Sequence, residues 1–329
     1  MKHAQILLFI GKGGVGKTTC SVTTAVHLAD MGKRVLLVSL DPAHNAGDAL
    51  DIPLSSAKKS VTPTLDALEI DLEQLIKRYL DHTSTQMRQT YRYLTVFNLE
   101  KFFDVIRYSP GIEEHATLEA MQEILLEEAG QYDAIIFDTA PTGLTLRVLA
   151  LPTISTLWVE KLSGIRKNIL QLRSSIANIH GPQFLRVEGV EEPLASEEKT
   201  DATMQELQKY HQDAQRIRQT LSNPNLTSVV AVLNPEDMPL FETIRAVEAL
   251  KKFQIPLKLL LVNKILTLQD VPAELTRKIE RQQEVLRKIR ASFPKHPVIE
   301  LPLLSEDPRG LDKLRHFTRD AAEHIASFV

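Results

Sequence analysis

Cysteine is almost missing: Cys20 is the single one among 329 residues. One thiol excludes an intramolecular disulfide and any metal site that draws two or more thiolates from one chain. Aromatic residues amount to 5% and methionine occurs six times, so a groove relying on the adaptability of methionine has little to draw on. Neither charge sign dominates, since 39 Lys and Arg stand against 42 Asp and Glu, a net charge of -3. That balance supplies no bulk attraction for nucleic acid or anionic lipid. No uninterrupted apolar run approaches the ~20 residues of a membrane span. The run near the start is six residues long and ends in glycines, unlike a secretory signal with its cleavage site. A cytoplasmic protein is expected, with no nucleic-acid partner and membrane contact only through another protein.

What is present reads as an ordinary globular chain, 43% hydrophobic and 25% charged. Gln5 to Ile10 is apolar without alternation, as in a strand buried on both faces. A glycine-rich stretch follows, then helical spacing from Thr18 to Met31 with Gly32 as its stop, then a second buried strand over Arg34 to Leu40. This β-loop-α-β unit makes the two strands parallel. Further buried-strand candidates are Leu68 to Ile70, Ala134 to Phe137, Val229 to Leu233, Leu257 to Val262 and Val298 to Leu301. The alternation predicts an α/β fold: a doubly wound, mostly parallel sheet with helices on both faces. Two blocks, about 71–130 and 155–222, are helical and break the alternation. They are expected to form a helical subdomain inserted into one domain spanning 1–329. The stretch from His180 to Lys199 reads as a loop, its charged part (188–199) a solvated, mobile lid or linker.

The glycine stretch is Gly11-Lys12-Gly13-Gly14-Val15-Gly16-Lys17-Thr18, with Thr19 after it. It matches GxxxxGK[ST] with a strand before and a helix after. Glycines let several backbone N–H groups converge on one phosphate, and the helix N-terminus adds its positive end. Lys17 is placed to reach the β- and γ-phosphates, and the Thr18 hydroxyl to bind Mg²⁺. Asp41 lies 24 residues after Lys17, at the carboxyl end of the second strand, where open parallel sheets bind ligands. A carboxylate there can polarise an attacking water. Asp138 closes the apolar strand Ala134 to Phe137, the pattern of a residue that acts on Mg²⁺, and Gly143 suggests a loop able to change shape when a phosphate leaves.

GKGGVGKTT, SLDPAHN, SPGIEEHATLEAM and DTAPTGLTLRVLALP together resemble the arsenite-pump ATPase (ArsA) family, which includes the ATPase of guided entry of tail-anchored proteins. Weaker matches extend the resemblance from residue 5 to about 325. The resemblance implies ATP and Mg²⁺ as cofactors and a homodimer in which Lys12 reaches the partner's nucleotide. It implies Asp41 in a first switch positioning the hydrolytic water, Asp138 opening a second switch and assisting Mg²⁺ through water, Asn263 contacting adenine, and Pro302 and Leu303 lining the base. Family members usually have a histidine where Leu144 stands and a threonine where Leu40 stands. The eukaryotic targeting members hold zinc between subunits with a CxxC pair. Ala273 to Gln283, the corresponding region, has no cysteine, so no zinc is expected, and a thiolate-based arsenite site is equally unsupported. Cys20 is expected to be buried and inert.

In the targeting branch the helical blocks hold a client's transmembrane helix. Leu157, Leu162, Ile165, Ile169, Leu172, Ile176 and Ile179 recur at intervals of 5, 3, 4, 3, 4 and 3, an apolar stripe at near-helical period. Tyr93, Val96, Phe97, Phe102, Phe103 and Ile106 make a second apolar group. For any one helix such a stripe reads first as core packing. His44 offers a phosphate or interface contact, or a plain surface hydrogen bond. The segment from Leu311 to Val329 is amphipathic with mixed charge, which favours a helix docked on the core over one bound to a membrane. Three functions remain: a targeting or chaperone ATPase for hydrophobic helix clients, which leads; the ATPase subunit of an arsenite or antimonite efflux pump with a membrane transport partner, disfavoured in thiol-gated form by the lack of cysteines; and a partitioning or assembly ATPase, disfavoured by the full-length family resemblance.

Overall fold

The computed structural model describes residues 4–42, 45–90, 109–181, 184–187, 190–267, 273–317 and 319–327. The expectations for His44 and for the apolar group Tyr93 to Ile106 lie outside the described residues. The strands are β1 (Gln5–Ile10), β2 (Val35–Ser39), β3 (Lys59–Thr62), β4 (Leu65–Glu69), β5 (Ala134–Asp138), β6 (Phe184–Val187), β7 (Val190–Pro193), β8 (Thr227–Leu233), β9 (Leu257–Ile265) and β10 (Val298–Pro302). The helices are α1 (Lys17–Asp30), α2 (Asn45–Leu50), α3 (Leu72–Thr90), α4 (Ile112–Glu127), α5 (Thr142–His180), α6 (Ala202–Ser222), α7 (Asp237–Lys252), α8 (Ala273–Ser292), α9 (Gly310–His316) and α10 (Arg319–Ala326).

Eight strands make one sheet in the order β10-β9-β8-β1-β5-β2-β4-β3. Every neighbouring pair is parallel except β3 with β4. The reason is legible in β1, where Leu7, Leu8 and Phe9 are all fully buried. A strand with apolar residues on both faces needs helices on both sides and neighbours on both edges. The α/β class expected from the alternation is therefore the one observed. Register places Phe9 and Ser39 on either side of Asp138, so the carboxyl ends of β1, β5 and β2 finish level with one another.

The chain separates into two compact units. The first comprises Met1–Leu75, Thr117–Leu149 and Thr220–Val329 and contains the whole eight-stranded sheet. The second comprises Ile76–Ala116 and Ala150–Gln219, and the regular elements among its described residues are helices and the β6–β7 hairpin.

Four features differ from the sequence reading. β3 was not expected, because Lys59-Ser60-Val61-Thr62 is a short, polar, solvent-facing edge strand with no apolar run. β6 and β7 pair antiparallel within the stretch expected to be loop and charged lid. The helix after β5 begins at Thr142 and takes Gly143 into its first turn, so Gly143 is not in a loop. The carboxyl end forms two short helices, not one. Their apolar residues Leu314, Ala321 and Ile325 are buried in the core, and the Phe317 carbonyl meets His27 Nε2 at 3.1 Å.

Candidate functional site

The loop between β1 and α1 is held by close backbone approaches that exclude side chains. A Cβ on Gly11 would stand 2.3 Å from the Val232 carbonyl oxygen. Gly16 has φ +95°, in the left-handed region, and a Cβ there would stand 2.3 Å from Asn263 Nδ2. Gly16 is also the N-cap of α1 and offers no side-chain cap, while the first turn holds no acidic residue. The opening amides of α1 are thus left to an external anion, the condition under which helix N-termini bind phosphate.

Lys17 begins α1, is 4% exposed, and brings its ammonium within 4.0 Å of Asp41 Oδ2. Thr18 and Thr19 follow it, both half-buried, whereas Lys12, Gly13 and Gly14 are exposed and Val15 is buried. Asp138 is completely buried at the end of β5, and neither carboxylate oxygen has a hydrogen-bond partner among the described residues. The Thr18 and Ser21 hydroxyls lie near enough to temper its charge without meeting hydrogen-bond geometry. Burial pushes the Asp138 pKa up to about 7, against the pull of Thr18 and Lys17 and with a smaller push from Asp41. An orphaned, sealed carboxylate beside a threonine hydroxyl is a donor set that suits a hard divalent cation such as Mg²⁺. Among the described residues no cluster of three or more His, Cys, Asp or Glu is arranged to hold a metal.

The segment after β5 is tied to the glycine loop and to β1. The Thr142 amide donates to the Gly11 carbonyl at 3.3 Å, and the Thr139 hydroxyl donates to the Phe9 carbonyl at 2.7 Å. Downstream of Asp41, Glu69 Oε1 accepts from the Ala46 and Gly47 amides at 2.8 and 2.9 Å, fixing the start of α2. Leu40 and Leu144, the two departures from the family pattern, line one apolar cavity together with Thr117, Met121 and Val148. Its volume of about 10 Å³ is that of one water at most, and its apolar walls leave it dry.

The residues expected to meet the base fall into two groups. Asn263, 5% exposed, reaches the phosphate loop: Nδ2 donates to the Val15 carbonyl at 2.9 Å and Oδ1 accepts the Lys264 amide at 2.9 Å. Its carboxamide is thereby committed at both ends. Pro302 and Leu303 are exposed at the end of β10, next to the likewise exposed Leu304. Leu304, Pro308, Asp312 and Phe317 among others wall a pocket of about 450 Å³, whose lining includes neither Pro302 nor Leu303. Lys264, which no motif marks, also touches the loop, with Nζ donating to the Gly14 carbonyl at 2.9 Å. The signal available was a basic residue directly after Asn263 at a strand's carboxyl end. Cys20 is 1% exposed, and burial, with a smaller contribution from the Asp138 charge, pushes its thiol up to about 12.

The apolar stripe of α5 does not pack into a core. Leu157, Trp158, Leu162, Ile165, Ile169, Leu172, Ile176 and Ile179 are all exposed, Ile179 by 75%. The expectation of core packing is overturned for a reason visible within the helical unit. The helix buries a different face, carrying Val159 and Leu170. On that side Arg166 pairs with Asp201 at 2.6 Å, and the Ser155 hydroxyl meets the Tyr210 hydroxyl on α6 at 3.3 Å. By length and composition α5 also passes as a possible membrane span, through a window of mean hydropathy 1.3 of which half is buried.

Against known proteins, a family profile described as an anion-transporting ATPase (ArsA) matches residues 4–322. The chain is 31% identical over 325 residues to a putative arsenical pump-driving ATPase 1 of Aquifex aeolicus, covering 94% of this chain and 76% of that protein. It is 32% identical over 314 residues to an ATPase ASNA1 homolog of Entamoeba histolytica, covering 94% and 91%. It is 31% identical over 313 residues to the ATPase get3 of Aspergillus terreus, covering 94% and 87%.

Proposed function

The chain belongs to the ArsA family of anion-transporting ATPases, and from that premise we propose that this ATP hydrolase is a Mg²⁺-dependent, homodimeric nucleotide switch of the cytoplasm that targets or chaperones apolar helices. One observation carries the proposal. Trp158, Leu162, Ile165, Ile169, Leu172, Ile176 and Ile179 are all exposed and follow a strict 4-3 repeat on one helix. A 4-3 repeat is the seam by which one helix receives another. The stripe spans about 33 Å at 1.5 Å per residue, close to the ~30 Å of hydrocarbon that a transmembrane helix crosses. A long exposed apolar patch of this kind marks an interaction surface. The second compact unit is then the helical insertion of a single phosphate-loop domain.

In this reading Lys17 and the loop amides from Gly11 to Thr19 hold the phosphates. Thr18 would hold Mg²⁺ directly and Asp138 through water, and the ion, when bound, neutralises charge on the phosphate oxygens. The orphaned Asp138 carboxylate supports that assignment. Asp41 orients the attacking water. Lys12 of a second copy neutralises charge developing on the phosphate in the manner of an arginine finger, which its exposure permits. Pro302 and Leu303 line the base, and Asn263 borders it. No zinc takes part in this scheme.

Relatives named as arsenical pump-driving ATPases support a second reading, the ATPase subunit of an anion efflux pump with a membrane partner. The single buried thiol, held protonated, favours the first reading over thiol-gated arsenite binding. Co-expression decides between them. A tagged chain should copurify a transmembrane-helix peptide and lose it when Ile165 and Leu172 are both changed to Asp. Equal recovery of a charged control peptide would remove the helix-binding reading, and turnover stimulated by arsenite would establish the pump reading.

A further inference from the structure

Resting on the nucleotide-switch reading, we infer that Asn263 and Lys264 form a two-pronged latch from the end of β9 that sets the phosphate loop in its anion-binding shape, with Lys264 as a positioning residue. Asn263 Nδ2 holds the Val15 carbonyl and Lys264 Nζ holds the Gly14 carbonyl, each at 2.9 Å. A trans peptide unit is rigid and its C=O and N–H point in opposite directions. Drawing the Gly14 and Val15 carbonyls toward β9 therefore turns the Val15 and Gly16 amides to the other side of the loop. Gly14 and Gly16 both have left-handed φ, +79° and +95°, the alternation that forms a concave nest of N–H groups for an anion. Two side-chain donors thus fix the direction of two amides in that nest.

The latch is itself braced. Lys264 has φ +63°, a conformation that a non-glycine residue keeps only when its surroundings enforce it. On one side of it the Asn263 carboxamide oxygen accepts the Lys264 amide. On the other, the Ile265 carbonyl accepts from the Leu303 amide at 2.7 Å. Gln282 of α8, 4% exposed, grips Leu266 at both backbone atoms: Oε1 accepts its amide at 3.0 Å and Nε2 donates to its carbonyl at 3.5 Å. The exposed Lys264 ammonium could turn to water, so its place on Gly14 follows from the backbone beneath it. Asp138 ends β5 and Asp41 follows β2, both on the opposite side of β1 from β9. The latch consequently acts on phosphate affinity and leaves the chemical step alone.

Steady-state ATPase assays on the full chain test this with Lys264→Gly, which removes the ammonium while accepting positive φ, and Lys264→Arg, which restores a donor. Inorganic tripolyphosphate serves as a competitive probe without a base. Loss of one charge-assisted hydrogen bond predicts a KM for ATP raised roughly ten-fold in the glycine variant. The inhibition constant of tripolyphosphate should rise by the same factor, with kcat within about two-fold of wild type. The arginine variant should return toward wild type. Unchanged KM overturns the latch, and so does a collapse of kcat at constant KM. A rise for ATP without a rise for tripolyphosphate also overturns it, because the lysine would then act on the base. If the wild-type chain neither binds nor hydrolyses ATP, the nucleotide-switch reading fails first and the latch falls with it.

Discussion

A carboxylate sealed from water at the end of a strand destabilises the fold until a cation joins it. Asp138 is in that position: fully buried, with both oxygens unpartnered among the described residues and its pKa pushed up to about 7 chiefly by burial. Two effects of Asp138→Asn follow, with opposite signs. In nucleotide-free, chelator-treated protein the variant should melt higher than wild type, by roughly 2–4 °C for each kcal/mol of buried charge relieved. In the presence of Mg²⁺ and ATP it should lose apparent Mg²⁺ affinity roughly 10- to 100-fold, as when a group that orients a metal's shell is removed. A calorimetric scan showing the variant less stable without Mg²⁺ would mean that the carboxylate has a partner and that the cation assignment is wrong. At this scale the sequence was informative wherever the chemistry is contiguous. Gly11 to Thr18 could be read as one word, and Asp138 follows its strand directly. The loop contacts of Asn263, singled out only through the resemblance and for the base, and of Lys264 could not be read, because their partners Val15 and Gly14 lie 248 and 250 residues away. Nothing local in VNK distinguishes a residue that holds the loop from one that ends a strand.

Elements follow the same logic. β1 was legible to the residue because an unbroken apolar run ending in glycines fits little besides a strand buried on both faces, whereas β3 and the β6–β7 hairpin are short and carry polar side chains. The α5 stripe was legible as a pattern but not as a surface, since a 4-3 repeat looks the same in a core and in an open seam. What sets its exposure is that α6 joins a different face, and that junction can be tested. Asp201 precedes α6, its Oδ1 accepts the Met204 amide at 2.8 Å, and it pairs with Arg166 through two hydrogen bonds. Burial alone would raise the Asp201 pKa, but Arg166, the Met204 amide and Arg173 outweigh it, so the value is lowered. A carboxyl with a depressed folded-state pKa adds stability above its unfolded value, near 3.9, and loses it as pH falls through the lower folded value. Arg166 keeps 21% of its side chain in water, which puts Asp201→Asn at the lower end of the cost of breaking a buried pair, about 3 kcal/mol at neutral pH. Far-UV circular dichroism melts should show that deficit undiminished from pH 8 to about pH 5 and shrinking below about pH 4. A deficit that persists at the lowest pH would assign it to packing instead of charge.

For the whole molecule the open question is where the charge that completes the site comes from. Lys17 is buried and its ammonium lies 4.0 Å from Asp41, while Lys12, five positions earlier in the same loop, is exposed. A side chain that faces water in one chain can complete a site only when another surface is brought against it, and closed two-fold symmetry is the commonest way for identical chains to do so. Each protomer would then lend Lys12 to the other's phosphate while using its own Asp41. No single-chain mechanism lets two inactive variants restore one another. Lys12→Ala and Asp41→Asn should each abolish turnover as pure proteins. Mixed in equal amounts under exchange, half the dimers are hybrids, and each hybrid retains one site with an intact Asp41 facing an intact Lys12. Activity should return to roughly a quarter of wild type, as expected for random pairing in a closed dimer, and sedimentation should show the dimer favoured by a non-hydrolysable ATP analogue over ADP. If both variants are inactive alone and the exchanged mixture stays inactive, Lys12 acts within its own chain and the shared site is refuted.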